Sequence, residues 1–390
     1  MVTDSPRSSI KCISFKLSRI RFVTEPEVQC QELVVTGSWM EETNRICLWR
    51  YDCADLIESG QIKPESEAED DLTAGMLGDS ADDPRLVHSI LHPGWVQDLK
   101  VHHSTQRIFS ASSLGTLQIF RAESDSNKLS RVTSEWMPFV PDARPSHLPI
   151  ALASLCLSAD GNQAYAGDDL GRLAIIQVDR IPGFLQSLSK QDSKNDRSAV
   201  IQTGTDITTV NALEHVDNST LASVNQLGQL KVWDLRCGLG KPQQRLLRPG
   251  ETQPLYCLSR HPGQPHLMAV GGVDGSSAAA YIWDLRAQQY PLTEVGCEGK
   301  SVWEVSFHPR QPKHLFLATE TAGLLRVSCR GDADTWTGFK GSRRKLTVSS
   351  VLPGATEVRS VISFDLSYTR LICGHSDSTV QSMVCDTFVY

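Results

Sequence analysis

Two phrases, LKVWDLR (Leu230–Arg236) and AYIWDLR (Ala280–Arg286), are near-copies of each other, and RICLWR (Arg45–Arg50) is a weaker third copy. A chain that repeats a short phrase closed by Trp-Asp uses one structural unit several times. The fullest copy, VNQLGQLKVWDLR, reads as a tight turn followed by a short strand. Its Gly228 supplies the positive φ such a turn needs, and Leu230, Val232 and Trp233 are β-prone. Laying the sequence on GQLKVWD puts Trp49, Phe120, Ile176, Trp233, Trp283, Ser328 and Met383 in the Trp place, at spacings of 45 to 71 residues. The unit is therefore about 45 residues long, with insertions.

A second pattern opens each unit. VWEVSFHP (Val302–Pro309) and LYCLSRHP (Leu255–Pro262) place Trp303, Val305, Phe307 and Tyr256, Leu258, Arg260 at alternate positions. Aligned copies give Gln97, Leu99, Val101; Ala153, Leu155, Leu157; Asn211, Leu213, His215; and Ser360, Ile362, Phe364. The middle place is Leu, Val or Ile in all six copies. This period-two alternation marks a strand packed on one face. Several short strands per unit, in seven units, predict an all-β fold: a seven-bladed WD-repeat β-propeller. Each blade packs only on its neighbours, so 390 residues can form one domain without one oversized core.

A ring of blades must close or expose a sheet edge. The alternating run KCISFKLSRIRFV (Lys11–Val23) predicts closure by an N-terminal strand, with Ile13 and Phe15 lying beside Thr379–Val384. Residues 1–10 are expected to be disordered and 11–390 to form the propeller. Glu58–Asp83 carries nine acidic residues and one Lys, which predicts a solvated loop. Insertions are expected at about 122–149, which is Pro-rich, at 179–206 and at 330–355.

The net charge of −7 argues against direct binding to nucleic acid, which needs a basic footprint. No apolar run approaches the roughly 18 residues of a membrane span, and the first residues lack the apolar core of a secretory signal. Eleven cysteines without a C-x-x-C pair read as reduced thiols. No metal-ligand cluster, phosphate loop or nucleophile motif is present in the sequence, so no catalytic residue, metal or cofactor is expected.

The remaining chemistry is structural. Asp168, Asp274, Glu320 and Asn225 take one equivalent turn place, where an acidic or amide side chain caps backbone N–H groups. His261 and His308, each before a Pro, read as turn residues. Trp49, Trp233 and Trp283 are expected core anchors, with Asp234 and Asp284 beside them; each Trp would bury about 150–250 Å². Trp39, Trp95 and Trp303 fall near turns or at the start of an opening strand, which makes them interface candidates.

Four stretches carry a more specific likeness: TGSWMEETNRICLW (Thr36–Trp49), VNQLGQLKVWDLR, RHPGQPHLMAVGGVDG (Arg260–Gly275) and VWEVSFHPRQPKHLF (Val302–Phe316). With them the chain resembles the small, 43-kilodalton WD-repeat nucleoporins of the Y-shaped scaffold subcomplex of the nuclear pore. The resemblance implies a non-enzymatic scaffold subunit, a monomer within a hetero-complex at the nuclear envelope. Its implied partners are the eighty-five-kilodalton nucleoporin and its Sec13-related propeller partner. Its implied roles are pore assembly, transport of mRNA and protein, and a mitotic visit to kinetochores. A rival reading is a substrate receptor of a cullin-4 ubiquitin ligase, since the W-D-x-R motif occurs at Trp233–Arg236 and at Trp283–Arg286.

Overall fold

A computed structural model describes residues 8–23, 31–52, 83–123, 126–139, 149–184, 198–247, 253–274, 277–286, 290–297, 299–330, 336, 345–352, 359–367 and 370–384. Among the described residues, 28 strands form seven antiparallel four-stranded sheets, one per blade. Inner strands run Leu17–Phe22, Val96–His102, Leu152–Leu157, Val210–Asp217, Leu255–Arg260, Val302–Phe307 and Val361–Leu366. The fold is the seven-bladed propeller that the repeat predicts.

Closure comes one segment earlier than the sequence suggests. The outer strand of blade seven is Ser8–Cys12, paired with Thr379–Val384 from Ser8↔Met383 to Cys12↔Thr379. Ile13 only extends this pairing, its N–H donating to Ser378 O at 2.8 Å, and it is buried between blades seven and one, where half-buried Phe15 packs on the same cluster. Ser8–Ile10 are therefore strand. The side chains of the closing strand alternate between exposed and half-buried, so an apolar pattern could not reveal it.

Other outer strands lie where insertions were expected. Lys128–Arg131, Val200–Thr205 and Lys345–Ser350 each complete a blade. Trp336, within the same expected insertion as Lys345–Ser350, is fully buried and donates its indole N–H to Pro312 O at 2.7 Å. Nearly all of the acidic stretch, 53–82, lies outside the described residues.

The core is a set of layers between blades. Each of seven apolar clusters draws on two adjacent blades, and together they run once round the ring. The seam between blades seven and one is one of them, joining Leu17, Ile20 and Trp49 to Ile372 and Val380. Trp49, Trp233 and Trp283 all face the preceding blade. The Trp49 and Trp233 indoles donate to Thr36 Oγ1 at 2.8 Å and Ser223 Oγ at 2.9 Å, which satisfies the one polar atom that burial would strand.

Three registers differ from the repeat alignment. In blade six Gly323 opens the third strand, paired with Thr319, instead of ending the turn as Gly228 does, so Val327 rather than Ser328 takes the Trp place, opposite Leu315. In blade seven the inner strand is shifted by two. Ile362 is the counterpart of Trp303, and Phe364 rather than Ile362 takes the middle position. In blade five Asp274 pairs with Ser277 at the tip of a longer hairpin, two residues past the capping place, and its side chain lies outside the described residues.

Candidate docking surface

The loops of a four-stranded meander fall on two faces. Links from an outer strand to the next inner strand, and turns between second and third strands, share the upper face. The turns are rigid because their side chains cap them. Asp168 Oδ1 accepts from Leu170 N at 3.0 Å and Arg172 N at 2.7 Å; Asn225 Oδ1 accepts from Leu227 N at 3.1 Å and Gln229 N at 3.0 Å. In blade six the cap is Thr319, whose hydroxyl accepts from Ala322 N at 3.0 Å, and not its neighbour Glu320. Gly115, Gly171 and Gly228 hold the left-handed position of these turns at φ 78, 83 and 73°.

This scaffold displays large apolar side chains. Trp39 and Met40 project from the turn of blade one, and Trp95, 38 % exposed, from the link into blade two. Leu114, Leu170 and Leu227 cap the turns of blades two, three and four, and Ile207 projects from the link between the last two. Backbone bonds fix the loops: Trp95 N donates to Ser113 Oγ and Ser113 N to Trp95 O, both at 2.9 Å, while Trp39 N donates to Lys16 O at 2.9 Å. An arc over blades one to four thus carries seven exposed apolar side chains on one face. Sequence reading found the two Trp members. The aliphatic ones, at the second turn residue before each Gly (Leu114, Leu170, Leu227), carried a repeat signal that was available but unread.

Trp303 stands apart from this arc. It lies at the channel mouth on the upper face, its ring 5.2 Å from that of Tyr256. Every inner strand has a β-bulge at its second residue, as between Val302 and Glu304. The bulge re-aims one side chain per blade. In blades two to seven these are Gln97, Ala153, Asn211, Tyr256, Trp303 and Ile362, and all six line a pocket of about 220 Å³.

Below the mouth the channel wall is ionic. Arg21 pairs with Glu304 and donates to Ser363 Oγ at 3.1 Å; Glu304 also accepts from Ser363 Oγ at 2.7 Å and Phe364 N at 3.1 Å. Arg19 Nε lies 3.5 Å from Asp98 Oδ1, and Leu155 N donates to Asp98 Oδ2 at 2.9 Å. Burial raises Glu304 and Asp98, but Arg21 and Arg19 beside the first, and Lys100 and Arg19 beside the second, outweigh it and hold both below their ordinary values. These charges join blades one, two, six and seven across the axis.

The W-D-x-R arginines sit on the lower face. Arg236 binds back to Asp234 through Nε at 2.9 Å and Nη2 at 2.7 Å, and Arg286 repeats this on Asp284 at 2.9 and 2.8 Å. His261 and His308 also lie there, each accepting two backbone N–H bonds at Nδ1, from Gly263 and Gln264 and from Arg310 and Gln311. Among the described residues no group of three His, Cys, Asp or Glu is placed to hold a metal ion.

Comparison with known proteins bears on the whole ring. The chain is 27 % identical over 400 residues to the mouse (Mus musculus) protein named Nucleoporin Nup43, covering 93 % of this chain and 95 % of that one. Against the human (Homo sapiens) Nucleoporin Nup43 it is 29 % identical over 365 residues, covering 92 % and 86 %. The chain is a homologue of the Nup43 nucleoporins. A Dictyostelium discoideum protein named Nuclear pore complex protein nup43 matches at 23 % over 180 residues, 43 % of this chain and 42 % of its own. No family model matches the chain. The mouse Nup43 alignment leaves less than a tenth of either protein uncovered, so the likeness extends over all seven blades.

Proposed function

We propose that this protein is a non-enzymatic scaffold subunit of the nuclear pore, a peripheral member of its Y-shaped subcomplex at the nuclear envelope. The observation that carries this reading is the similarity to Nup43 proteins across more than nine-tenths of the chain. The propeller supplies what a scaffold needs, a rigid ring with a broad face. The upper-face arc of Trp39, Trp95, Leu114 and Leu170 is the docking surface, because interface energy concentrates in a few aromatic and apolar anchors. Its partners are the eighty-five-kilodalton nucleoporin and the Sec13-related propeller, and its roles are pore assembly, transport of mRNA and protein, and kinetochore attachment in mitosis.

The test is to tag wild type, Trp39→Ala with Trp95→Ala, and Arg236→Ala with Arg286→Ala, and to compare nuclear-rim staining and co-purified proteins. The tryptophan variant is expected to lose rim staining and Y-complex partners while keeping its melting temperature. The arginine variant is expected to keep both, since each guanidinium is engaged by its own blade's Asp on the other face. Recovery of a cullin-4 adaptor with wild type, without Y-complex members, would replace this reading by the ligase-receptor one.

A further inference from the structure

The channel mouth holds a carboxylate without a counter-ion. Asp169 follows the capping Asp168, and its backbone is fixed on both sides: its N–H donates to Ala151 O at 3.2 Å, and its carbonyl accepts from Thr209 Oγ1 at 2.9 Å. Its carboxylate forms no ion pair among the described residues, while neighbouring Asp168 is matched by Arg172 at 2.5 Å. Asp169 is exposed at the mouth; the partial burial of its carboxyl, and next the charge of Asp168, push it above its ordinary pKa, against a weaker favourable effect of the Ala151 amide. A cation placed beside it would reverse that shift.

Asp169 lines the same pocket as the Tyr256–Trp303 ring pair. Arg19 also lines it, but its Nε faces Asp98 and its Nη1 donates to Ser18 O at 3.1 Å. Asn211 is likewise occupied, donating to Leu255 O at 2.7 Å and to Gln226 Oε1 at 3.1 Å. The groups left to meet a ligand are thus the Asp169 carboxylate, which has no cation paired with it, the Gln97 amide, and the parts of the Tyr256 and Trp303 rings not packed on each other. At about 220 Å³ the pocket is smaller than the roughly 300–1,000 Å³ of sites for drug-sized ligands, and it suits a single long side chain.

We propose that the channel mouth binds the cationic side chain of one lysine or arginine from a partner polypeptide. The Tyr256 and Trp303 rings pack on its stem and charged head, as aromatic faces do with cations, and Asp169 supplies the counter-charge. The site is separate from the apolar arc and does not depend on membership of the nuclear pore.

The experiment uses the purified full chain and the probe peptide acetyl-Gly-Gly-Arg-Gly-Gly-amide, with its Lys and citrulline counterparts, titrated by calorimetry. Saturable binding of the Arg or Lys peptide is expected, weakening as salt is raised. Asp169→Asn and Trp303→Ala should each lower affinity about tenfold or more with the melting temperature unchanged, and citrulline should cost wild type a similar factor. Absence of saturable binding to wild type overturns the proposal. So does wild-type affinity in either variant, or citrulline binding as well as arginine.

Discussion

Arg370 of blade seven reaches across the ring's seam to Glu32 of blade one, its Nε donating to Oε2 at 2.9 Å with both side chains buried. The same guanidinium lies 4.9 Å over the Tyr51 ring, and Ser367 Oγ donates to the other Glu32 oxygen at 2.8 Å. Chain ends far apart in sequence are thereby joined by charge as well as by strand pairing. Arg370→Ala removes a buried counter-charge and should cost about 3–5 kcal/mol, whereas Arg370→Met combined with Glu32→Leu should recover most of that loss. Urea melts of wild type, single and double variants check this. A double variant no more stable than Arg370→Ala would show that the charges do not act as a pair.

Strand closure is the second fastening. Removing residues 1–12 uncovers the edge of Thr379–Val384 and should lower the melting temperature and induce association through that edge. Light scattering with a thermal melt measures both. A monomer with an unchanged melt would refute the role given to Ser8–Cys12.

The left-handed turn position allows a reciprocal test. Blade seven puts Ser378 there, at φ 61°, where blades two, three and four use Gly. Relief of that conformation should let Ser378→Gly gain up to about 1 kcal/mol, less the added flexibility of Gly in the unfolded chain. Gly228→Ala should lose more than that gain, because a Cβ there would lie 2.4 Å from Gln253 O as well as at φ 73°. Opposite signs in chemical denaturation are the expected result, and two losses would defeat the argument.

Acid should weaken the fold through His92. Its ring, buried between Gly94 O and Ser110 Oγ at 3.0 Å each, is held at a pKa of about 4, chiefly by burial. The unfolded ring takes up a proton near pH 6.5, so the unfolded state binds more protons between about 6.5 and 4. The contribution is complete above about pH 6.5 and falls by about 3 kcal/mol as pH drops through this window. Asp98 and Glu304, held below their ordinary values, add losses at lower pH. Denaturation at pH 7.5 and 5.0 should show the drop, and His92→Gln should flatten it. An unflattened slope would assign the acid lability elsewhere.

The sequence made the ring legible where burial imposes a pattern. Leu99, Leu155, Leu213 and Val305 sit at the same point of four inner strands, and each is buried. Some outer strands left no such trace: Ser8–Cys12 and Val200–Thr205 alternate only between half-buried and exposed. Register failed in blade six, where the Gly used for alignment opens a strand instead of ending a turn, and in blade five, where the hairpin runs on to Asp274–Ser277. The channel charges were unreadable in advance: Arg21 and Glu304 are 283 residues apart and meet only when the ring closes. Exposed Trp39 and Trp95 were identifiable by residue type and turn position, but their shared face required the strand order.

The seven bulges have a further consequence. A ring of identical blades would offer an incoming chain seven indistinguishable orientations. Here the bulged residues of blades two to seven run Gln97, Ala153, Asn211, Tyr256, Trp303, Ile362 around the axis, small or polar through three blades and bulky through three, while in blade one Ser18 is buried and Arg19 faces the mouth. Because each bulge lifts its residue out of the pleat, these identities can vary while the sheets that carry them stay paired. The backbone thus behaves like a dial with seven equal marks, and the side chains at the axis set where its pointer stops.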